Sequence, residues 1–228
     1  MEAIGSDVPA TPVRAPLSKE RVLRAAVELA DKDGIDALSM RRLAKELGVE
    51  AMSLYNHVAN KDEILAGILE IVTSEVEDPV TSDELDWKAA IRRSAISTHD
   101  AFLRHRWSCP LMMKTAAVIP SRMRWMESLL RTLRQAGFSP NLTHHAYHAL
   151  ESHITGFTLW QVNFPFTTRE ELIDMADDFL REIPPDEYPY VIEHAQEHLD
   201  EPDPNEPTEF EFGLDLILDG LERMRDAA

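Results

Sequence analysis

The chain has 228 residues, 44% hydrophobic and 28% charged, with a net charge of −18. That is enough apolar matter for one large domain, or for a small domain joined to a larger one. No apolar run is long enough to span a bilayer. The opening MEAIGSDVPATPVRAPLSKE lacks the apolar stretch of a secretory signal. A single cysteine, Cys109, excludes an internal disulfide and the usual cysteine-based zinc site, so the expectation is a reducing, cytoplasmic setting.

In chain order, residues 1–16 hold three prolines and little apolar matter and read as a disordered tail. Arg14 within it could reach a minor groove or simply stay solvated. Ser18 is a helix N-cap; Arg21 stands at the third helical position, so no capping box forms. Val22, Leu23, Ala26, Val27, Leu29 and Ala30 then recur at helical spacing until Gly34. Ser39 caps a second, short helix whose apolar face is Leu43, Ala44 and Leu47, and Gly48 ends it. A third helix is expected over about Glu50 to His57. Asn60 caps a fourth, with Glu63 in near capping-box position, running to about Glu77. Asp78-Pro79 then breaks the pattern. The expected division is a tail over 1–16, a small helical domain over 17–78, and a larger helical domain over 79–228.

Two short helices joined by a turn at Gly48 match a helix-turn-helix. Gly48, lacking a Cβ, can take the left-handed turn conformation, and small Ala44 allows two helices to come close. In this geometry the second helix enters the major groove with its N-terminal residues toward the base edges. The acidic total argues against nucleic acid taken alone, but its distribution does not. Residues 14–63 hold nine Lys/Arg and nine Asp/Glu, and residues 64–228 carry most of the excess.

The segment ALSMRRLAKELGVEAMSLYNHVANKDEIL resembles the DNA-binding segment of the tetracycline-repressor (TetR/AcrR) family. The shared pattern is a cap, two basic residues, Leu-Ala, Leu-Gly-Val, then Leu-Tyr-x-His-Val-x-Asn-Lys. The resemblance covers residue 18 to about 75. It implies an all-α, dimeric, one-component regulator, in which a small molecule in the C-terminal domain releases DNA. Arg41, Ala51, Met52 and Ser53 then match positions that face bases. Ser39, Met40, Tyr55, His57 and Lys61 match positions at or beside phosphates, and Asn56 lies between two of these. Met40, Ala51 and Asn56 depart from the family's pattern, so neither operator sequence nor effector can be carried over.

Beyond Pro79, helices are expected at about 83–106, 110–117, 120–136, 141–163, 168–181, 186–199 and 207–226, with Pro110, Pro120, Pro165 and Pro184-Pro185 among the breakers. Phe102, Trp107, Met112, Met113, Trp125, His153, Trp160 and Phe164 are candidate effector-binding groups, since ligand cavities between helices are lined by such side chains; helical cores are lined by them too. Cys109 reads as a plain buried thiol rather than a redox sensor. The helices at 141–163 and 207–226 are the expected homodimer contact, a four-helix bundle using Tyr147, Leu150, Ile154, Phe157 and Leu159 with the stripe Phe212, Leu216, Leu218 and Leu221. A dimer also suits two half-sites about one DNA turn apart, roughly 34–36 Å. His144, His148 and Glu151 fall at i, i+4 and i+7, a spacing that can bind a metal. The alternative function is therefore an all-α metal-dependent enzyme, with His194 or His198 completing the site. No resident cofactor is expected.

Overall fold

The computed structural model describes residues 16–80, 82, 86–164, 168–199 and 206–227. The expectations for Arg14 and most of the tail, for Pro165 and for the His198 side chain lie outside these residues. All regular elements described are helical: α1 Lys19–Asp33, α2 Met40–Leu47, α3 Ala51–Leu54, α4 Lys61–Ser74, α5 Trp87–Arg104, α6 Ser108–Lys114, α7 Pro120–Gln135, α8 Pro140–Val162, α9 Arg169–Glu182, α10 Pro189–Leu199 and α11 Glu209–Asp226, with a 3-10 turn at Ile35–Ala37. The chain divides into two compact units, Met1–Ile68 and Leu69–Ala228. The division falls within α4, because that helix runs on without a break where the sequence pattern places a boundary only at Asp78-Pro79.

In the first unit the helix boundaries follow the expected chemistry. Ser18 Oγ accepts the Arg21 N–H and Ser39 Oγ accepts the Arg42 N–H, each at 3.2 Å, satisfying donors that a helix start leaves open. Gly34 ends α1 at φ 82°. At Asn60 the capping box is displaced by one residue. Asn60 Oδ1 accepts the Glu63 N–H at 2.8 Å, but the Glu63 carboxylate accepts the Ala59 N–H, at 2.6 Å. That bond, followed by the ion pair with Lys19, holds the Glu63 carboxyl below its ordinary range. Val22, Ala26, Leu43, Leu54 and Ile64 are sealed from solvent in the small core.

The second unit is organised by α5, α7, α8 and α11. Trp87, Ile91, Trp125, Leu129, Phe138, Leu150, Leu214 and Leu218 belong to one apolar core cluster. Pro110 does not break a helix here. It occupies the third position of α6, where the missing N–H is one the first turn would leave unpaired anyway.

Along one side of this cluster α5 and α11 are tied by a ladder of charge. Arg92 binds Asp215 at 2.7 Å and Glu211 at 3.0 Å, and Lys88 reaches Asp219 at 2.6 Å and Glu222 at 2.7 Å. Glu211 sits below its ordinary carboxyl range, chiefly through the Thr208 backbone N–H, with Arg92 adding to it. Asp219 is lowered by Lys88, and Lys88 is raised by Asp219 and Glu222. A lowered carboxyl contributes stability that is present above its unfolded value and lost as pH falls through its folded value. The thermal midpoint should therefore hold near neutral pH and decline below about pH 4.5. Calorimetry across pH 3–7 checks this, and Arg92→Met should shrink the acid-side decline.

Candidate DNA-binding surface and effector region

α2 and α3 meet across a turn that only glycine makes without strain. Gly48 has φ 66° and ψ 39°, the left-handed region. The Gly48 N–H donates to Lys45 O and the Val49 N–H to Ala44 O, at 3.0–3.1 Å, which closes α2. Leu43, Ala44 and Leu47 of α2 and Leu54 of α3 are buried, so the seam is fixed by the apolar residues read from the sequence.

What remains outward is the face the motif requires. Met52 is 74% exposed and Tyr55 is 46% exposed, Ala51 and Ser53 are half-buried, and Asn56 is exposed beside half-buried His57. α3 is shorter than expected. The Tyr55, Asn56 and His57 N–H groups bond to Met52 O, Ser53 O and Leu54 O, three residues back rather than four, so the helix tightens into a turn. The two adjacent arginines differ. Arg42 is held by Asp33 at 2.5 Å, whereas Arg41 is exposed with no ion pair among the described residues. Lys61 is likewise exposed, at the first position of α4. Ser39 is exposed and serves as a cap, and Met40 is half-buried.

In the second unit the candidate effector groups differ widely in exposure. Phe102, Trp107, Met112 and Trp125 are buried, Met113 and Trp160 are exposed, and His153 and Phe164 lie between. A groove of about 560 Å³ on α5 is lined by Arg92, Arg93, Ser97, Asp100 and Arg104, and a smaller one by Arg134, Phe138 and Arg225. Neither touches any of the candidates. What the structure does assemble is an aromatic centre between α5, α8 and α11. Phe210 stacks on His99 at 3.9 Å between centroids and on His153 at 5.0 Å, with Phe157 edge-on to it at 5.6 Å. Trp160 continues from Phe157, and Phe164 meets Trp160 edge-on at 4.3 Å.

Hydrogen bonds set the imidazole tautomers in this centre. Thr158 spends its one hydroxyl proton on Ile154 O at 2.6 Å, so His99 Nδ1, at 2.8 Å, must donate to Thr158 Oγ1. His153 Nε2 donates to Phe210 O at 2.9 Å. Burial pushes the His99 pKa down and keeps the ring neutral. Sequence reasoning missed His99 and Phe210; the only signal for His99 is its place between Ala95 and Phe102 on the buried face of α5.

Two further expectations meet a definite environment. Glu151 forms a 2.7 Å ion pair with Arg122, which occupies the carboxylate that a metal site would need. No three His, Cys, Asp or Glu among the described residues are placed to hold a metal ion. Cys109 is buried against Thr155 O, and burial pushes its thiol up to about 12; this is an unreactive thiol. No described helix is long and apolar enough to cross a membrane.

Fold and surface together define a helix-turn-helix regulator with a separate helical unit. Comparison with known proteins is specific. Residues 22–68 match the model of bacterial regulatory proteins of the tetR family, and residues 79–225 match the tetracyclin repressor-like C-terminal domain. The transcriptional repressor DrrR1 of Streptomyces coeruleorubidus is 33% identical over 221 residues, covering 92% of this chain and 80% of that protein. The crystal structure of ActR from Streptomyces coelicolor in complex with (S)-DNPA superposes with a TM-score of 0.73 at 30% identity, over 92% of this chain and 99% of that one. BioQ crystallised with its double-stranded DNA operator gives a TM-score of 0.60 at 26% identity, over 91% and 99%. The chain belongs to the TetR family: it is a transcriptional regulator of the ligand-responsive repressor class, not an enzyme.

Proposed function

We propose that the protein acts in the cytoplasm as a homodimer that grips a near-palindromic operator through residues 17–78 and is released when a small molecule binds within residues 79–228. The observation that carries the DNA half is the left-handed turn at Gly48, which presents α3 beside an exposed Arg41 that has no ion pair among the described residues, while its neighbour Arg42 is engaged by Asp33. Arg41 is then the base-reading arginine, with Ala51, Met52 and Ser53 at the base edges. Tyr55, His57, Lys61, Ser39 and Met40 position the domain at the phosphates, with Asn56 beside them. BioQ, crystallised on its operator, has the same fold and supports this reading.

The dimer half rests on an apolar face left open by α8 and α11. Phe212 is 58% and Trp160 is 52% exposed, and Leu216 shares the face. Gly156 and Gly220 have nothing within 4 Å of where a Cβ would stand, which leaves room for another backbone. The residues involved are fewer than the sequence pattern indicates. Leu150, Ile154, Leu218 and Leu221 are buried in the protomer's own core and are not available to a partner. The effector half rests on the aromatic centre of His99, His153, Phe157 and Phe210, which offers flat apolar surface and imidazole groups. ActR, crystallised with (S)-DNPA, supports a small-molecule site in such a unit. Release follows if the effector binds one arrangement of the dimer better than the DNA-competent one. α4, which carries residues of both units, is the covalent link between them.

Selection of random duplex DNA by the purified protein, with sequencing, tests this function. A palindromic site is expected, and its absence after stripping any copurified ligand would sink the reading. On that site Arg41→Ala should cost about 1–3 kcal/mol and relax preference at one base pair. Lys61→Ala should weaken all sequences alike and lower the salt slope by about one. Equal losses on operator and random DNA would remove Arg41 from the base-reading role.

A further inference from the structure

A buried polar group without a hydrogen bond is costly, and folded proteins keep few of them. Among the described residues such atoms include Ser108 Oγ, Thr143 Oγ1 and Gln161 Oε1. Thr143 lies near the start of α8, about 27 Å along the helix axis from Gln161. Ser108 and Gln161, by contrast, lie along one seam. α6 and α8 pack on each other. Arg106 donates to Val162 O at 2.8 Å, and the Cys109 thiol faces Thr155 O at 3.8 Å. Ser108 stands between Arg106 and Cys109 in the chain, and Gln161 between Thr155 and Val162, so these two contacts bracket both orphans. Ser108 is 0% exposed. Gln161 is half-buried, but its Oε1 is sealed from solvent.

The surroundings are aromatic and apolar. Phe157 and Thr158 precede Gln161 by four and three residues and share its face of α8. Thr158 Oγ1 accepts from His99, and Phe157 meets Phe210 edge-on, so Gln161 stands one turn beyond the aromatic centre. Trp107 and Met112 are buried on the α6 side, before and after Ser108. Burial here penalises charge: it lowers the His99 pKa and raises that of the Cys109 thiol beside Ser108. Departures from polar pairing concentrate at functional sites, and ligand pockets combine apolar walls with a few polar groups that a bound molecule satisfies.

We propose that Ser108 and Gln161 are polar contacts of the effector site, and that the effector is a neutral, flat molecule carrying a hydroxyl. Its rings lie against the aromatic centre. Its hydroxyl supplies the donor that Gln161 Oε1 lacks and an acceptor for the Ser108 proton. This rests on the small-molecule site proposed above and adds the chemistry which that site selects. A molecule of the same shape without the hydroxyl leaves both groups unpaired, which is how a polar site rejects a close analogue.

Equilibrium dialysis of the full-length protein against 2-naphthol and against naphthalene tests it. 2-Naphthol should bind about tenfold more tightly or better, the factor expected when hydrogen bonds to buried groups are made rather than left open. Ser108→Ala combined with Gln161→Met should bring 2-naphthol to the affinity of naphthalene and leave naphthalene unchanged. Without either probe, this double variant should melt no lower than the parent, and higher by about 2–4 °C for each costly orphan removed. A lower midpoint would show that the two groups already have partners in the folded protein, and would overturn the proposal. Equal binding of the two probes, or a preference that survives the double variant, would overturn the polar contacts and leave the effector site standing. If neither probe binds, the aromatic centre is not the effector site and both readings fall.

Discussion

Leu216→Glu should convert the proposed homodimer to monomers and reduce operator affinity by on the order of a hundredfold or more, while leaving the protomer folded. Leu216 is 57% exposed in the protomer, so its own core loses little when the side chain changes. In a two-fold interface each substitution occurs twice, and the two copies lie near one another. Removing a buried leucine costs about 1.5–3 kcal/mol per side, and a carboxylate left without a partner in an apolar seam costs more. A total loss of about 4 kcal/mol or more corresponds to roughly a thousandfold in dimerisation, and a monomer can occupy only one half-site at a time. Sedimentation and operator binding read the two effects, and circular dichroism reads the fold. Leu218→Glu, two residues on, is the control. Leu218 is 0% exposed, and the same carboxylate there should unfold the second unit. If both variants behave alike, the exposed face of α11 is not the dimer seam.

These two leucines also mark where the sequence stops being readable. A period of 3.6 identifies α11 as amphipathic, and its capping box at Thr208 and Glu211 sets its start. Phe212, Leu216, Leu218 and Leu221 read as one stripe, yet α11 is apolar on two sides. Phe210, Leu214, Leu218 and Leu221 face inward, while Phe212 and Leu216 are left outside. Periodicity tells that a face is apolar but not which of two neighbours covers it. Local signals fared better because their causes are local. Ser18, Ser39, Gly34 and Gly48 each act within a few residues, through a single cap bond or a positive φ. α3 ended early because the bonds that tighten Tyr55–His57 are a choice between two carbonyls one residue apart, and no side chain announces that choice. The aromatic centre was half legible. His153, Trp160 and Phe164 stand out on α8 and just beyond it, but His99 and Phe210 come from other helices, Phe210 meeting His153 across 57 residues of sequence.

Trp125→Ala should cost about 3–5 kcal/mol of stability and lower the thermal midpoint by roughly 10 °C, whether or not an effector is present. As a large amphipathic residue Trp125 is a natural candidate for the effector site. The structure instead puts it in the apolar cluster with Trp87, Ile91 and Leu129. Its indole N–H donates to Ser94 Oγ at 2.8 Å, and Ser94 in turn donates to Glu77 O at 2.6 Å. The ring therefore fills the space between α5 and α7 and fixes the chain that leads out of α4. Trp125→Ala opens a cavity there that rigid helices cannot close. Trp125→Phe keeps most of the volume and leaves Ser94 still donating to Glu77, so it should cost only about 1–2 kcal/mol. Denaturant unfolding of both variants separates the two roles. A small loss for Trp125→Ala, together with weakened effector binding for Trp125→Phe, would return the residue to the ligand site. A large loss for the first, with unchanged binding for the second, fixes it as the packing that holds α5 and α7 in register.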